Sequence, residues 1–256
     1  MVHPTAIVHP EARLAAGVEI GPWCIVEAGV ELGPGTRLGP RAMVLRGTRM
    51  GRDNVVGPGA ILGMEPQDLK YRGEDTELIV GDSNRFGAYV TISRGTPTGR
   101  GATRIGNDNY FMAMTHIGHD CIIGDGVVLT QGASLSGMVS VEDHAVLGGL
   151  CGVHQFVRIG RLAMVGGMST VRQDVPPFTM VAGNPARVRG LNAVGLERRG
   201  YSSARRLELK RAIRLVYRTR GDLKAAVALI REQVPPSEER DHFLQFILES
   251  KRGIGW

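Results

Sequence analysis

Two histidines and an aspartate stand close together near the middle of the chain. His116, His119 and Asp120 fall in the segment THIGHDC, which spans residues 115–121. An imidazole with its ordinary pKa of about 6.5 can act as a general base at neutral pH, and a carboxylate can orient it and stabilise its protonated form. We therefore predict that His119 is a general base supported by Asp120, although sequence neighbours on a strand tend to face opposite ways.

A six-residue period surrounds this segment and predicts the element that positions it. Every sixth residue from 105 to 171 is large and apolar, and the same spacing runs from Val8 to Leu62. This period fits neither a helix nor a half-buried strand, and hexapeptide repeats are typical of a parallel β-helix with about 18 residues per coil. The predicted inward residues are Ile105, Phe111, Ile117, Ile123, Leu129, Leu135, Val141, Leu147, Val153, Ile159, Val165 and Val171.

Residues one coil apart should lie above one another at the same corner. Gly137 follows His119 by about one coil and Gln155 by about two, and His154 lies beside Gln155. A glycine at such a corner leaves its backbone N–H open to a substrate carbonyl, where it could stabilise an oxyanion. The spacing therefore predicts one site that contains a base, an oxyanion donor and polar binding groups.

Two insertions interrupt the period, at residues 63–78 and 93–104. Solenoid insertions form loops, often on a binding face. The first carries Gln67, Asp68 and Lys70 in one short run, and we expect the second to emerge about one coil below His119 and wall the site. We predict a β-helix over residues 1–190 and an α-helical domain over 191–256, with helices at 192–199, 203–219, 222–234 and 237–250.

Composition narrows the possible environment and partners. The formal charge of +6 favours acidic partners, and arginine is dense between Arg187 and Arg220. No nucleic-acid motif accompanies these arginines, so we predict no nucleic-acid partner. Cys24, Cys121 and Cys151 do not form a disulfide framework, and we expect neither a signal peptide nor a membrane span. A cytoplasmic protein is therefore predicted.

Two other classes of protein compete with this interpretation. The first is a zinc carbonic-anhydrase-like hexapeptide-repeat trimer: His116, His119 and His154 could in principle hold zinc, as in hexapeptide-repeat zinc enzymes that collect histidines from two subunits. No strong ligand-spacing pattern supports that site, so we predict no metal. Cys121 falls at an inward position, where a thiol packs rather than reacts. The second alternative is a non-catalytic solenoid, in which replacing His119 changes only the surface charge.

Five motifs resemble those of the bacterial acyl-carrier-protein–UDP-N-acetylglucosamine O-acyltransferases, which start lipid A biosynthesis. The motifs are QDLKY, HIGHDC, VHQF, QDVPP and GLERRG, at residues 67–71, 116–121, 153–156, 173–177 and 195–200. The resemblance covers essentially the whole chain. It implies a left-handed β-helix, a homotrimer with active sites between subunits, and transfer of an (R)-3-hydroxyacyl group to the 3-hydroxyl of UDP-N-acetylglucosamine. The donor is carried on the phosphopantetheine of acyl carrier protein, and no other cofactor is implied.

The same resemblance implies roles for individual residues. His119 would be the general base, Asp120 its support, and the Gly137 N–H an oxyanion donor. Gly167 matches a position that gates acyl-chain length, where a glycine leaves room for a longer chain. Residues matching the sugar-nucleotide and acyl-pantetheine cleft are Gln67, Asp68, Lys70, His116, His154 and Gln155. Residues matching the nucleotide-binding part of the tail are Asn192, Arg198 and Arg199, and the basic tail could dock the acidic carrier protein.

Three residues depart from the family pattern. Met138 and Ser93 stand where the best-known members have histidines, and Val194 replaces an acidic residue. Some relatives acylate a 3-amino sugar nucleotide, and an amine needs less help from polar groups. We favour oxygen as the acceptor atom and keep nitrogen as the alternative. The later N-acyltransferase of the pathway typically has an extra N-terminal domain, whereas here the period begins at Val8.

Overall fold

The computed structural model describes residues 1–219 and 222–255. Arg220 in the basic tail and Trp256 at the end of the predicted helical domain lie outside the described residues. Most strands up to Leu191 are only two residues long. In chain order they are β1 (Ile7–Val8), β2 (Arg13–Leu14), β3 (Glu19–Ile20), β4 (Ile25–Val26), β5 (Glu31–Leu32), β6 (Arg37–Leu38), β7 (Met43–Val44), β8 (Thr48–Met50), β9 (Val55–Val56), β10 (Ile61–Met64), β11 (Glu77–Val80), β12 (Arg85–Phe86), β13 (Thr91–Ser93), β14 (Ala102–Ile105), β15 (Tyr110–Phe111), β16 (His116–Ile117), β17 (Ile122–Ile123), β18 (Val128–Leu129), β19 (Ser134–Leu135), β20 (Ser140–Val141), β21 (Val146–Leu147), β22 (Gly152–Val153), β23 (Arg158–Ile159), β24 (Met164–Val165), β25 (Thr170–Val171), β26 (Thr179–Ala182) and β27 (Arg187–Leu191).

From β1 to β25, every third strand joins the same sheet, so the chain winds around three flat sides. The first sheet has the order β1-β4-β7-β10-β13-β16-β19-β22-β25, and the second has the order β2-β5-β8-β11-β14-β17-β20-β23. The third has the order β3-β6-β9-β12-β15-β18-β21-β24-β26-β27, in which only the described pairing of β26 with β27 is antiparallel. The predicted parallel β-helix is confirmed. We name its corners by the sheets they join: the first–second, second–third and third–first edges.

Apolar residues stack inside the three sheets in the predicted register. Ile117 pairs with Leu135 in the next coil of the first sheet. Both side chains are fully buried, as is the small residue Ala133 two positions before Leu135. Burial raises the pKa of the Cys121 thiol to about 12, so this inward cysteine packs as an uncharged group.

The corners use a left-handed backbone conformation. The third residue of three successive corners at the first–second edge has positive φ: 59° at Asp120, 65° at Met138 and 66° at Phe156. The N–H of Met138 donates to the carbonyl of His119 in the coil below, at 2.8 Å. Corners therefore stack through backbone hydrogen bonds, even where the residue is not the glycine that this conformation favours.

Both insertions leave the β-helix at the first–second edge. They span 65–76 between β10 and β11, and 94–101 between β13 and β14. These loops are shorter than the predicted ranges because the residues at each end pair within the sheets. At the second–third edge, Asn54, Asn84 and Asn109 are buried and stack directly. The Asn84 amide donates to Asn54 Oδ1 at 3.0 Å, and the Asn109 amide donates to Asn84 Oδ1 at 2.9 Å. This edge thus stays in register past both insertions.

Helices follow the last strand. They are α1 (Ala193–Arg198), α2 (Ser203–Arg218), α3 (Leu223–Gln233) and α4 (Glu238–Leu248), close to the predicted ranges. Their buried faces share a hydrophobic cluster with Leu162 and Phe178 of the β-helix. The division of the chain at residue 190 stays a prediction. Across residues 1–219 and 222–255, every helix falls short of the length and apolarity that a membrane span requires.

Neighbouring isoleucines of β17 provide a test of the ladder. Ile123 points inward and is 2% exposed, whereas Ile122 points outward and is 39% exposed. Ile123→Ala should lower the free energy of unfolding by about 2–5 kcal/mol, because a cavity opens between stacked residues. Ile122→Ala should cost less than about 1 kcal/mol. Urea unfolding of both variants measures the difference, and equal losses would contradict the inward assignment of Ile123.

Candidate active site

The first–second edge gathers the predicted catalytic residues. The corner after β16 carries His119, the corner after β19 carries Gly137, and the corner after β22 carries Gln155. These strands are successive neighbours in the first sheet, so the three residues stand one coil apart. The insertion at 94–101 emerges one coil below His119, as predicted, and the insertion at 65–76 emerges one coil lower still.

His119 and Asp120 form a hydrogen-bonded pair although they are adjacent in sequence. The His119 Nδ1 lies 2.8 Å from Asp120 Oδ2. The left-handed backbone at Asp120 turns its carboxylate back toward the preceding side chain, which a strand would not do. An ionised carboxylate only accepts hydrogen bonds, so in the neutral imidazole this contact places the proton on Nδ1 and leaves the lone pair on Nε2. This is the geometry that a general base requires.

The second insertion donates several hydrogen bonds to the buried carboxylate of Asp120. The Thr96 hydroxyl donates to Oδ2 at 2.7 Å, and the Thr96 and Arg100 N–H groups also donate to the carboxylate. Burial alone would raise the pKa of the Asp120 carboxyl, but hydrogen bonds from His119, Thr96 and Arg100 outweigh burial and lower that pKa. Asp120 therefore stays ionised and can support a protonated His119.

Gly137 makes room for the His119 ring. A Cβ built on Gly137 would stand 2.6 Å from His119 Cε1, closer than side chains can approach. None of the described residues accepts a hydrogen bond from the Gly137 N–H. Glycine thus serves two needs here, since it allows the imidazole to lie against the backbone and leaves an N–H beside it for a substrate oxygen.

The remaining histidines of the predicted cleft differ in their surroundings. His116 is half-buried on the outer face of the first sheet, and its Nδ1 lies 2.9 Å from the Thr91 hydroxyl. Burial lowers the pKa of the His116 imidazole, which favours the neutral form. His154 and Gln155 are exposed, with His154 Nδ1 3.2 Å from the Gln155 carbonyl.

The first insertion presents polar side chains to solvent. Gln67 and Lys70 are exposed, while Asp68 is half-buried and accepts a hydrogen bond from the Lys70 N–H at 2.9 Å. Among the described residues, no hydrogen bond links these three side chains with His119. In the single chain they lie at the same edge as His119, two coils below it.

Other predicted residues stand at other edges. Gly167 is exposed at the third–first edge, beside the Gly149 backbone. Asn192 caps α1 by accepting from the Gly195 N–H at 3.1 Å, and its amide donates to Leu162 at the second–third edge. Arg198 and Arg199 are exposed nearby. His144 lies at that same edge. Its pKa is lowered mainly by burial and to a smaller extent by the positive charge of Arg199.

Two family models match the chain. Residues 102–137 match "Bacterial transferase hexapeptide (six repeats)", which covers the coils around His119. Residues 174–255 match "Udp N-acetylglucosamine O-acyltransferase; Domain 2", which covers the end of the β-helix and the helices.

Relatives cover almost the whole chain. The acyl-(acyl-carrier-protein)–UDP-N-acetylglucosamine O-acyltransferase of Alkalilimnicola ehrlichii is 52% identical over 99% of this chain and 98% of that protein. The enzyme of that name from Anaeromyxobacter sp. (strain K) is 49% identical with the same coverage. The crystal structure of UDP-N-acetylglucosamine O-acyltransferase (LpxA) from Moraxella catarrhalis has a TM-score of 0.96 and 39% identity, covering 100% of this chain and 99% of that one.

The chain belongs to the UDP-N-acetylglucosamine O-acyltransferase family. The predicted family and the predicted enzyme class, an acyltransferase, are both confirmed. The match to solved members of the family also confirms a left-handed β-helix. Left-handed crossovers depart from the usual rule for parallel strands, so the six-residue period alone could not supply the hand.

Within this acyltransferase, sequence reasoning missed the residues that hold Asp120. Thr96 and Arg100 lie in the irregular second insertion, where the six-residue period assigns no position. The signal available was the run RGTPTGRG directly after β13, rich in glycine and one coil below the base. Across residues 1–219 and 222–255, no three His, Cys, Asp or Glu side chains are grouped to hold a metal.

Asp120→Asn should reduce the amount of unfolding free energy that the protein loses as the pH falls into the acidic range. Because the pKa of Asp120 is lowered on folding, its contribution is complete above the ordinary carboxyl pKa of about 3.9 and is lost as pH falls through the lower folded-state value. Thermal unfolding between about pH 5 and pH 2 measures the slope. Asp53→Asn, at an exposed corner with the same backbone conformation, is the control. An Asp120→Asn slope equal to wild type would contradict the lowered pKa.

Gly137→Ala should displace the His119 ring. The new methyl group would overlap the imidazole, and a shift of the base by about 1 Å can cost about 10²-fold in rate. We expect kcat/KM to fall by about that factor while the fold, followed by circular dichroism, is retained. Gly152→Ala is the control, since a Cβ there meets no atom within 4 Å. Equal activity of the two variants would contradict the packing of Gly137 against His119.

Proposed function

We propose that this enzyme transfers an (R)-3-hydroxyacyl group from acyl carrier protein to the 3-hydroxyl of UDP-N-acetylglucosamine, the first step of lipid A biosynthesis. The observation that carries the proposal is the hydrogen-bonded His119–Asp120 pair, in which Nδ1 and Oδ2 are 2.8 Å apart and the His119 side chain is 19% exposed. The His119 ring lies against Gly137, whose N–H donates to none of the described residues. Relatives named for acyl transfer between these partners share about half of the sequence.

His119 acts as the general base of this reaction. Its Nε2 takes the proton of the sugar 3-hydroxyl while that oxygen attacks the thioester carbonyl carbon. The new C–O bond gives a tetrahedral intermediate, whose oxyanion the Gly137 N–H stabilises. When the C–S bond breaks, the protonated imidazole returns its proton to the leaving pantetheine sulfur. Asp120 stabilises the imidazolium between these two proton transfers.

Other residues bind the substrates. Gln67, Asp68 and Lys70 of the first insertion, with His116, His154 and Gln155, line the cleft for the sugar nucleotide and the acyl-pantetheine. Arg198 and Arg199 bind phosphate oxygens, for which guanidinium groups are well suited. Asn192 contributes to nucleotide binding chiefly by capping and anchoring α1. A glycine at 167 leaves room for a longer acyl chain.

The assembly is a homotrimer with active sites between subunits. The proposed binding groups occupy all three edges of one β-helix: His119 on the first–second edge, Gly167 on the third–first edge and Arg199 on the second–third edge. Groups on different edges of one prism cannot all contact one substrate molecule. Their distribution supports a cleft in which a second copy supplies the missing groups.

The free cysteines and the positive charge of the tail support the proposed compartment and the proposed carrier protein. The cytoplasm is the proposed compartment, and the three buried cysteines are free there. The arginine-rich tail docks the acidic acyl carrier protein. We propose no cofactor other than the phosphopantetheine that carries the acyl donor.

A 3-amino sugar nucleotide is the second candidate acceptor. Met138, beside Gly137, has only a thioether, which is a weak hydrogen-bond acceptor and no donor. The Ser93 hydroxyl is fully buried and points toward the Glu65 carbonyl, 3.5 Å away, so it does not face the cleft. An amine acceptor would need fewer polar partners at these two positions.

Replacing His119 tests the proposed reaction. The purified enzyme is offered 3-hydroxyacyl carrier proteins of several chain lengths with UDP-N-acetylglucosamine or its 3-amino analogue. His119→Ala should lower kcat by about 10²–10⁴-fold, the usual contribution of a general base. His9→Ala, at an exposed position near the N-terminal end of the same edge, should stay close to wild type. Turnover of the amino sugar alone would favour the second candidate. An active His119→Ala variant would contradict the assignment of the base.

A further inference from the structure

Arg94 is a buried arginine that the proposed reaction does not use. It is only 2% exposed, and a buried charge is stable only with several partners. Its guanidinium donates to the Gly63 carbonyl at 3.0 Å and to the Tyr71 hydroxyl at 2.7 Å. It also reaches Glu65 Oε1 at 3.3 Å. Gly63 lies near the end of β10, and Glu65 and Tyr71 lie within the first insertion.

The backbone N–H groups of Arg94 and Gly95, the first two residues of the tripeptide Arg94-Gly95-Thr96, bind both ends of that insertion. The Arg94 N–H donates to the Met64 carbonyl at 2.9 Å, and the Gly95 N–H donates to the Glu77 carbonyl at 3.0 Å. Met64 ends β10 and Glu77 begins β11, so these two bonds fix where the loop leaves and returns.

Thr96, the next residue, contacts the catalytic pair. Its N–H and hydroxyl both donate to the Asp120 carboxylate, which in turn holds His119. Three consecutive residues therefore span the distance between the first insertion and the base. A Cβ on Gly95 would stand 2.6 Å from Ala102 Cα, so this tripeptide packs too closely to admit a side chain at its centre.

We propose that Arg94, Gly95 and Thr96 form a positioning junction that fixes the acceptor-binding segment 67–70 relative to the His119–Asp120 pair. Arg94 is the positioning residue for the segment, and it acts through Tyr71. The Tyr71 hydroxyl donates to the Glu74 carbonyl at 2.6 Å, and the Tyr71 N–H donates to the Asp68 carbonyl at 3.0 Å. The assignment of 67–70 to the acceptor rests on the proposed function.

The chemistry at this position favours arginine over lysine. A guanidinium donates in several directions from one plane, so it can bind the Gly63 carbonyl and the Tyr71 hydroxyl together. A lysine ammonium is a compact charge on a flexible stem and cannot reproduce this arrangement. Glu65 is 65% exposed, so its ion pair with Arg94 adds little.

The junction predicts a specific kinetic change in Arg94→Lys. Loosening the segment should weaken acceptor binding, whereas Thr96 and Asp120 still hold the base. The KM for UDP-N-acetylglucosamine should rise roughly tenfold, the effect of losing a hydrogen bond to a charged group. The kcat should stay within roughly threefold of wild type, and the pH dependence of kcat/KM should keep its shape.

Hydrogen–deuterium exchange of the free enzyme tests the junction without relying on the reaction. In Arg94→Lys, peptides covering 63–78 should exchange faster, while peptides covering 116–123 keep wild-type protection. Tyr71→Phe removes the hydroxyl that accepts from Arg94 and donates to the Glu74 carbonyl, but Arg94 keeps its bond to the Gly63 carbonyl. This variant should show the same pattern more weakly, so it serves if Arg94→Lys folds poorly. Arg52→Lys is the matched control, because Arg52 pairs with Asp82 at the second–third edge and is 67% exposed.

The outcomes separate this inference from the proposed function. Faster exchange confined to 63–78, with the raised KM, would support the junction. Wild-type exchange in both variants, or equal acceleration along the whole β-helix, would overturn it. A wild-type enzyme without turnover would refute the proposed function, and the exchange experiment would still decide whether Arg94 holds the segment.

Discussion

Apolar side chains stacked inside the three sheets hold successive coils in register, and each contact at the edges depends on that register. His119 meets the Gly137 backbone because Ile117 and Leu135 lie above one another two residues earlier. A one-residue slip would turn the inward residues outward and would separate the base from the glycine. The geometry of the proposed catalytic groups is therefore set mainly by core packing, and only secondarily by contacts between those groups.

The backbone conformation of the corner allows a side-chain contact that core packing alone does not produce. Only the left-handed backbone at Asp120 lets two adjacent side chains face each other, and aspartate tolerates this conformation better than most residues. The second insertion then holds the carboxylate, so the pair is oriented by two independent parts of the chain. Such support keeps a general base at a fixed angle while substrates enter and leave.

The regular part of the molecule could be predicted from sequence, because a period of six directly encodes inward-pointing positions. It gave the β-helix, the shared edge of His119, Gly137 and Gln155, and the places where the insertions leave. The period could not give the partners of Asp120, since Thr96 and Arg100 lie in a loop whose path follows no repeat. It likewise could not show that Asn192 is engaged in capping α1, because that depends on where the helix begins.

The stacked asparagines at the second–third edge show which changes in chain length the β-helix can accommodate. Asn84 bonds to both Asn54 and Asn109, although 30 and 25 residues separate it from them in the sequence, so the extra length is accommodated at the first–second edge. The entropy cost of closing a longer loop grows slowly with its length. The first insertion can thus be lengthened while the coils keep their stacking, whereas the second insertion is constrained by the hydrogen bonds of Thr96 and Arg100 to Asp120. A change of length in the first insertion would therefore alter the proposed acceptor-binding segment and leave the residues that hold the His119–Asp120 pair in place.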